Sequence, residues 1–373
     1  MEPAREIDIG ALGARIAALP GASLVRDAAE RAGIDAYVVG GAVRDALLGE
    51  RRSDLDLVVD GDHRALLEAL GGDAQSFDRF ETAKLNTPEG TIDVARARTE
   101  SYPRPGALPE VRPAGLAADL ARRDFTINAM AVPVTAPEQL IDPQSGLGDL
   151  RAGLLRTLHP ASFTDDPTRA LRAARYAARF GFELEDATRA ALERTDLDTV
   201  SADRVDSELR RLAGEPDPRA GFELLDSWGV LLLPAGAGEL VTELSRLLAQ
   251  APWSDVSDRA AAILAAARGM PETAQQLAAV TPASPSEAVA AARGHSGVEL
   301  ALARAGGAEW LDRYAAEWRH VRPSISGDDL LAAGVAAGPA VGRGLEAALN
   351  AKLDGEADDR ERELEIALRV ARG

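Results

Sequence analysis

Asp54 and Asp56 stand two residues apart in the apolar run DLDLVV, residues 54–59. Side chains alternate along a strand, so both carboxylates leave one face, ~7 Å apart along the backbone, while Leu55 and Leu57 turn to the other. Two carboxylates so placed can hold one or two Mg²⁺ ions, with positions left for water and a substrate phosphate. Asp93, in the run TIDVA, is a candidate third carboxylate on another apolar strand. A D-x-D pair alone also suits a solvated strand face. Just upstream, Gly40, Gly41 and Arg44 fall between a strand pattern and a helix pattern. Glycines there let backbone N–H groups approach an anion at a helix N-terminus, and Arg44, one turn in, can reach the same anion. The alternative is a tight turn with a surface arginine. The region has neither G-x-x-x-x-G-K-[ST] nor G-x-G-x-x-G, so neither a P-loop nor a dinucleotide fingerprint applies. A triphosphate held by this backbone and Arg44, with metal on Asp54 and Asp56, makes a nucleotidyl-transfer site.

A second concentration of charge lies in PTRALRAARYAARF, residues 167–180. At helical spacing Arg169, Arg172, Arg175 and Arg179 fall within about 120° of one another, opposite Leu171, Ala174 and Ala178. Four arginines on one stripe repel unless an anion or carboxylates compensate them. A nucleotide triphosphate would do so; so would acids such as Asp203 and Glu208. Asp166 precedes Pro167, the ordinary pairing of an N-cap aspartate with proline at the first helical position.

The elements that must carry these residues follow from the pattern. Residues 1–36 read as one or two amphipathic helices, AYVV as a short strand, AVRDALL as a helix stopped by Gly49, and LDLVV as the next strand. HRALLEAL reads as a helix and TIDVARAR as a strand, whereas SYPRPGALPEVRPAG is a Pro/Gly-rich loop. ARRDFTINAMAVPV starts helical and ends strand-like. From residue 151 strand signals nearly vanish, GEPDP at 214–218 is a break, and residues 219–320 look all-helical. RPSISGDD opens a last helical piece, with Ser326 the expected N-cap and Asp329 three residues on. The expected fold class is α+β: a small mixed α/β head followed by an all-α remainder.

The 373 residues suffice for two or more domains, and 46% hydrophobic with 27% charged residues is ordinary for a soluble globular chain. Aromatics make up only 4%, so burial rests on Ala and Leu, which favours helices. The absence of cysteine excludes disulfides, zinc fingers and thiol catalysis. His63, His159, His295 and His320 are scattered and form no metal-binding spacing. The longest apolar run, near residues 260–267, is far too short to span a membrane, and the N-terminus has no basic-plus-apolar signal, so a cytoplasmic protein is expected. A net charge of −18 argues against wide nucleic-acid contact. It does not argue against a local cationic cleft. Lys84 and Lys352 are the only lysines, so nearly every cation is an arginine, suited to bidentate contacts with phosphates and base edges.

Taken together, GGAVRDALLG followed by SDLDLVV resembles the nucleotidyltransferase motif of the class II tRNA CCA-adding enzymes and bacterial poly(A) polymerases. ARRDFTINAMA (121–131), IDPQSGLGDL (141–150), SFTDDPTRALRAARYAARFGF (162–182) and SADRVDSELRRLAG (201–214) resemble that family's later motifs, in its order. ARTESYPRPGALPEV resembles its variable loop, and RPSISGDDLLAAGVAAGPAVGRGLEAALNAKLDGE the tail of a subset. The resemblance covers most of residues 35–214 and the C-terminal segment; residues 215–320 match only in being helical. It implies a catalytic head over residues 1–150, a nucleotide-selecting neck over 151–214, and a body (215–320) and tail (321–373) that grip the acceptor stem and elbow of tRNA. It implies Mg²⁺ on Asp54 and Asp56, nucleotide contacts from Gly40, Gly41, Arg44 and Arg123, and Asp124 and Asn128 at the ribose or bracing head against neck. Asp166 and Arg169 would read the Watson–Crick edge of CTP or ATP, and Arg172 and Arg175 would hold the triphosphate. Where the family often has Glu before this aspartate, the chain has Asp165. An aspartate acceptor with an arginine donor favours C and A, which carry an exocyclic amine, over U and G, at roughly 1–3 kcal/mol per lost contact. Template-independent addition of C, A or both to tRNA 3′ ends is the implied activity. Poly(A) polymerase is the alternative, although residues 354–365, DGEADDRERELE, are acidic where a basic tail would be expected. A non-catalytic tRNA-binding relative and a small-molecule nucleotidyltransferase fit the motif set less well. No protein partner is implied, and a homodimer stays open.

Overall fold

The computed structural model describes residues 6–50, 54–71, 74–77, 81–88 and 90–373. The chain divides into two compact units, Met1–Leu231 and Leu232–Gly373.

The first unit opens with two amphipathic helices, α1 (Leu12–Ala17) and α2 (Ala22–Ala32), as the sequence pattern requires. Then come β1 (Ala36–Val39), α3 (Gly41–Leu48), β2 (Asp54–Val59), α4 (His63–Leu70), β3 (Ala74–Phe77), β4 (Thr82–Thr87) and β5 (Gly90–Arg96). Gly49 ends α3 in the left-handed region at φ +77°, a conformation that a Cβ disfavours. The Pro/Gly-rich stretch is not wholly loop. Its ends pair as β6 (Arg98–Ser101) and β7 (Glu110–Pro113), in antiparallel register from Arg98↔Pro113 to Ser101↔Glu110. The strands are mostly exposed and polar, so they lack the apolar alternation that marks a strand in sequence. The short helix α5 (Leu116–Ala121), a 3-10 turn at Thr126–Asn128, and β8 (Ala131–Pro133) follow.

Six strands form one mixed sheet in the order β3-β4-β5-β2-β1-β8, with β2 and β5 parallel and the other neighbours antiparallel. Leu55, Leu57 and Ile92 drive one sheet face into the core beneath α1–α4. This core does not stop at residue 150. It passes through Phe125, Met130 and Phe163 to Ala170, Ala173 and Tyr176. These last three lie on α8 (Thr168–Phe180), which follows α6 (Gly146–Ala152), the two-residue strand β9 (Leu154–Leu155) and α7 (Ser162–Asp165). Beyond α8 lie β10 (Glu183–Leu184), paired with β9, then α9 (Asp186–Ala191), α10 (Ala202–Ala213) and α11 (Pro218–Ser227).

The second unit is helical throughout its described residues: α12 (Ala237–Leu247), α13 (Arg259–Arg268), α14 (Glu272–Ala278), α15 (Pro285–Ala292), α16 (Gly297–Ala305), α17 (Trp310–Ala316), α18 (Gly327–Ala332), α19 (Pro339–Leu353) and α20 (Arg360–Arg372). Ser326 and Asp329 close the capping box expected from RPSISGDD. Gly344 lets α19 approach α20 closely: a Cβ there would sit 2.9 Å from the Ala367 carbonyl oxygen. Among the described residues, no helix is long and apolar enough to cross a membrane.

Candidate active site

The β2–β5 register sets Asp56 directly opposite Asp93, and the β4–β5 register sets Lys84 opposite Asp93. Directly paired residues share a sheet face, so two carboxylates and a lysine stand in one row. The backbone of Asp54 opens β2 opposite Thr91, but its side chain lies outside the described residues. Lys84 Nζ lies 3.7 Å from Asp93 Oδ1, with both groups nearly half exposed. Asp56, Lys84 and Asp93 line a cleft of about 520 Å³ with Gly40, Gly41, Arg122 and Arg123. Gly40 takes φ +65°, and a Cβ on it would lie 2.6 Å from Arg123 Nη1. The glycine is therefore needed twice, for its backbone angle and for the guanidinium packed against it.

Arg44 lines neither this cleft nor the next. Only 3% of it is exposed, and its guanidinium carbon sits 4.8 Å from the ring centroids of both Tyr176 and Phe180 on α8. Its Nη2 pairs with Asp45 at 2.7 Å and its Nη1 donates to Asn128 Oδ1 at 2.7 Å. The arginine turns inward because two aromatic faces, a carboxylate and an amide oxygen all satisfy it there.

A second cleft, of about 350 Å³, is lined by Glu100, Tyr102, Asp124, Asp166, Arg169, Arg172 and Arg204, and shares Arg122 and Arg123 with the first. A continuous polar chain runs behind it. Asn128 Nδ2 donates to Asp124 Oδ1 (2.9 Å), Arg172 Nε to Asp124 Oδ2 (3.1 Å), and Arg172 Nη2 to Asp166 Oδ2 (3.2 Å). Burial pushes the Asp124 carboxyl up, but Arg172 and the Asn128 bond outweigh it and hold it below the usual aspartate value. Burial likewise raises the Asp166 carboxyl, and Arg172, Thr168 and Arg204 together bring it below its usual value. Arg169 is 3% exposed; its Nη1 donates to Ser162 Oγ (2.7 Å) and its Nη2 to the Arg122 carbonyl (2.9 Å). Asp165 lies beside His159, 3.9 Å from Nδ1.

The arginine stripe on α8 is neutralised by carboxylates. Arg172 Nη1 lies 3.5 Å from Glu208, while Arg175 and Arg179 both pair with Glu215, at 3.4 and 3.9 Å. Arg175 also covers the Tyr176 ring at 4.6 Å and does not line the cleft. The structure thus brings Gly40, Gly41, Asp56, Asp93 and Arg123 together in one cleft, and Asp124, Asp166, Arg169 and Arg172 in the adjoining one, with Arg44 and Asn128 behind them.

Several residues of the site escaped the sequence reading. Asp119 is fully buried and accepts from Arg122 (2.7 Å) and Arg123 (2.9 Å), holding both guanidinium groups at the seam between the clefts. Arg122 also pairs with Glu100 at 2.7 Å. The Tyr102 hydroxyl donates to Glu100 Oε2 (3.1 Å), and its pKa is pushed up to about 12 by burial and by that carboxylate. The five residues Asp119-x-x-Arg122-Arg123 carry a helical i,i+3/i+4 signal, whereas nothing local marks Glu100, Tyr102, Lys84 or Arg204.

Residues 36–156 match the poly A polymerase head domain family. An A-adding tRNA nucleotidyltransferase of Halalkalibacterium halodurans is 42% identical over 57% of this chain and 53% of its own length. A CC-adding tRNA nucleotidyltransferase of Deinococcus radiodurans is 43% identical over 56% of this chain and 59% of its own length. The chain therefore spans little more than half the length of these curated relatives. A Thermotoga maritima CCA-adding enzyme complexed with tRNA superposes with a TM-score of 0.72 at 26% identity, covering 98% of this chain and 99% of that one. With the carboxylate row, the glycine turn and the arginine stripe of α8 in place, these likenesses agree: residues 36–156 carry a poly A polymerase head domain, and the chain is similar to the tRNA nucleotidyltransferases that add A, CC or CCA.

Proposed function

We propose that this chain adds C, A or both to the 3′ end of tRNA from CTP and ATP, without a template, and releases pyrophosphate. The observation that carries this reading is the shared wall of the two clefts. Arg122 and Arg123 border both the carboxylate row and the pocket of Asp166, Arg169 and Arg172. A nucleotide whose base enters the second pocket has its triphosphate led past these arginines to Asp56 and Asp93. Arginine forks suit that path because they bind phosphate oxygens bidentately.

Asp166 accepts from the exocyclic amine of C or A, and Arg169 donates to the ring edge. Arg169 is held for this by Ser162 and the Arg122 carbonyl, so its fork is preorganised. Uracil and guanine present a carbonyl where the carboxylate needs a donor, and the buried charge is left unpaired. Arg172 and Arg123 meet the triphosphate, Gly40 and Gly41 leave room for its close approach, and Arg175 supports the neck face from its pair with Glu215. Asp124 and Asn128 brace the head against the neck, and Arg44 locks that brace from behind. The donors facing the first cleft from Asp56 and Asp93 are carboxylate oxygens, the type that hard divalent cations take. We assign Mg²⁺ to Asp54 and Asp56, with Asp93 beside them. When bound it lowers the pKa of the attacking 3′-hydroxyl and offsets charge on the leaving pyrophosphate. Residues 1–150 act as catalytic head and 151–214 as selecting neck; the helical body (215–320) and tail (321–373) bind tRNA by shape.

Incorporation of labelled CTP and ATP into tRNA transcripts lacking CCA, with Mg²⁺, tests the reading. Transfer of C or A that stops within three nucleotides supports it. Long A tails on unrelated RNA, with no C addition, replace it with poly(A) polymerase activity; no transfer to any RNA refutes it.

A further inference from the structure

Asp166 is held by more than its own helix. Its Oδ1 accepts three hydrogen bonds: from Thr168 N (3.1 Å), Thr168 Oγ1 (2.6 Å) and Arg204 Nη2 (2.9 Å). Its Oδ2 accepts from Arg172 Nη2 alone (3.2 Å) among the hydrogen bonds found. A carboxylate has about four lone-pair sites, so Oδ1 is saturated and Oδ2 keeps one acceptor position on the cleft side. Arg204 reaches Asp166 from α10, 38 residues along the chain, and its other amino group, Nη1, donates to the Gly106 carbonyl at 2.9 Å. Gly106 is the tip of the β6–β7 hairpin. Its N–H in turn meets the carbonyls of Thr164 and Asp165, at 3.3 and 3.2 Å, immediately before Asp166. The tip fits only as glycine: φ is +67°, and a Cβ would lie 2.4 Å from Thr199 Oγ1 and 2.5 Å from the Thr199 carbonyl oxygen.

Resting on the nucleotide-reading role of Asp166, we propose that Arg204 is a positioning residue for base selection. Its planar fork spans Asp166 Oδ1 and the hairpin-tip carbonyl, which fixes the rotation of the carboxylate and leaves Oδ2 as the oxygen that meets the exocyclic amine. Two properties of the fork matter. It is rigid, so the two bonds fix a direction and not only a distance. It is cationic, so together with Arg172 and the Thr168 bond it favours the ionised Asp166, which acts as an acceptor only; a protonated carboxyl would donate, and would tolerate the carbonyl of U or G. Lysine at position 204 keeps the charge but cannot bridge both acceptors in one plane.

The test is a four-nucleotide comparison on the full chain, reading kcat/KM for CTP, UTP, ATP and GTP with wild type, R204K, R204Q, D166A and the D166A/R204Q pair. For R204Q the CTP-over-UTP and ATP-over-GTP ratios fall roughly tenfold or more. R204K lies between wild type and R204Q, and KM for tRNA stays within about twofold. In the D166A background R204Q changes the ratios no further, because Arg204 acts through that carboxylate. Equal loss for all four nucleotides would make Arg204 a structural residue and overturn the proposal. Multiplying losses in the double variant would overturn it in favour of direct contact with the base. If R204Q does not fold, R204K alone carries the test, and unchanged ratios in R204K overturn the bridging role. A wild-type chain that transfers neither C nor A refutes the underlying function instead, so the two failures are told apart.

Discussion

Asp124, Asp166, Arg169, Arg172 and Arg123 each have hydrogen-bonding or ion-pair partners that fix their direction, and most of these are opposite charges. Asp56 and Asp93 are register partners on one sheet face, and with the metal role proposed for them, removing one acceptor should leave the fold intact and stop transfer. Asp56→Asn should lower single-turnover transfer below about a hundredth of wild type while CTP binding persists. Nucleotide binding is read by fluorescence titration, and near-normal transfer would refute the metal assignment. Arg172 stands between Asp124, Asp166 and Glu208, and burial, which opposes its charge, is outweighed by these acids so that its pKa rises. Arg172→Met removes the cation that these three buried carboxylates share, leaving Asp166 with Arg204, Asp124 with Asn128 and Glu208 with Arg211, at a cost of roughly 3 kcal/mol near neutral pH. The sign of its pH dependence follows. In the wild type Asp124 and Asp166 have folded pKa values below the ordinary aspartate value. Their stabilisation is complete above about pH 3.9 and is lost as pH falls through the lower folded values. Without Arg172 burial raises both carboxyls, they take up protons at higher pH, and the penalty of the substitution shrinks on acidification. Urea melts at about pH 7.5 and about pH 5 check this; an equal penalty at both would show that Arg172 acts by packing alone.

Elements position the site by close backbone approach, and glycines mark where. Gly146 opens α6 with its Cα hydrogen against Thr126; a Cβ there would lie 2.2 Å from the Thr126 carbonyl oxygen. Backbone cannot swing aside as a side chain does, so Gly146→Ala should destabilise the first unit by about 1–3 kcal/mol, measured by chemical denaturation. Unchanged stability would mean the turn at Thr126–Asn128 yields freely. Gly106→Ala should release the hairpin tip from Thr199 and speed limited proteolysis within residues 102–109, with little change in melting temperature. Much of this was legible in sequence. The strand of Asp54 and Asp56, the Gly49 stop, the α8 stripe and the Ser326 cap all rest on local rules of period and capping, and each stands where the pattern put it. The β6–β7 hairpin was not legible, because exposed polar strands leave no period-two apolar trace. The inward turn of Arg44 was hidden too: its aromatic partners Tyr176 and Phe180 lie on a helix more than a hundred residues away in the chain. The same holds for Arg204, whose partners come from two other elements.

At the scale of the molecule, one core cluster of the first unit runs unbroken from the sheet to α8, so the side chains on the sheet and on α8 share one frame. The chain is strongly acidic, and the arginines that border the two clefts are paired with carboxylates, which limits non-specific binding to phosphate. Because residues 1–231 form a compact unit with that core, a fragment ending there should fold, melt cooperatively and retain nucleotide binding. Its tRNA affinity should fall about tenfold or more in filter binding if the remaining helices bind tRNA. Full affinity in the fragment would move tRNA recognition to the first unit.

The most direct measurement is a crystal structure of the full chain with CTP and Mg²⁺. The account places the cytosine amine on Asp166 Oδ2, the ring edge on Arg169, the triphosphate along Arg122 and Arg123, and the α-phosphate beside Asp56. A base bound away from Asp166 and Arg169, or a triphosphate that does not reach the carboxylate row, would contradict it.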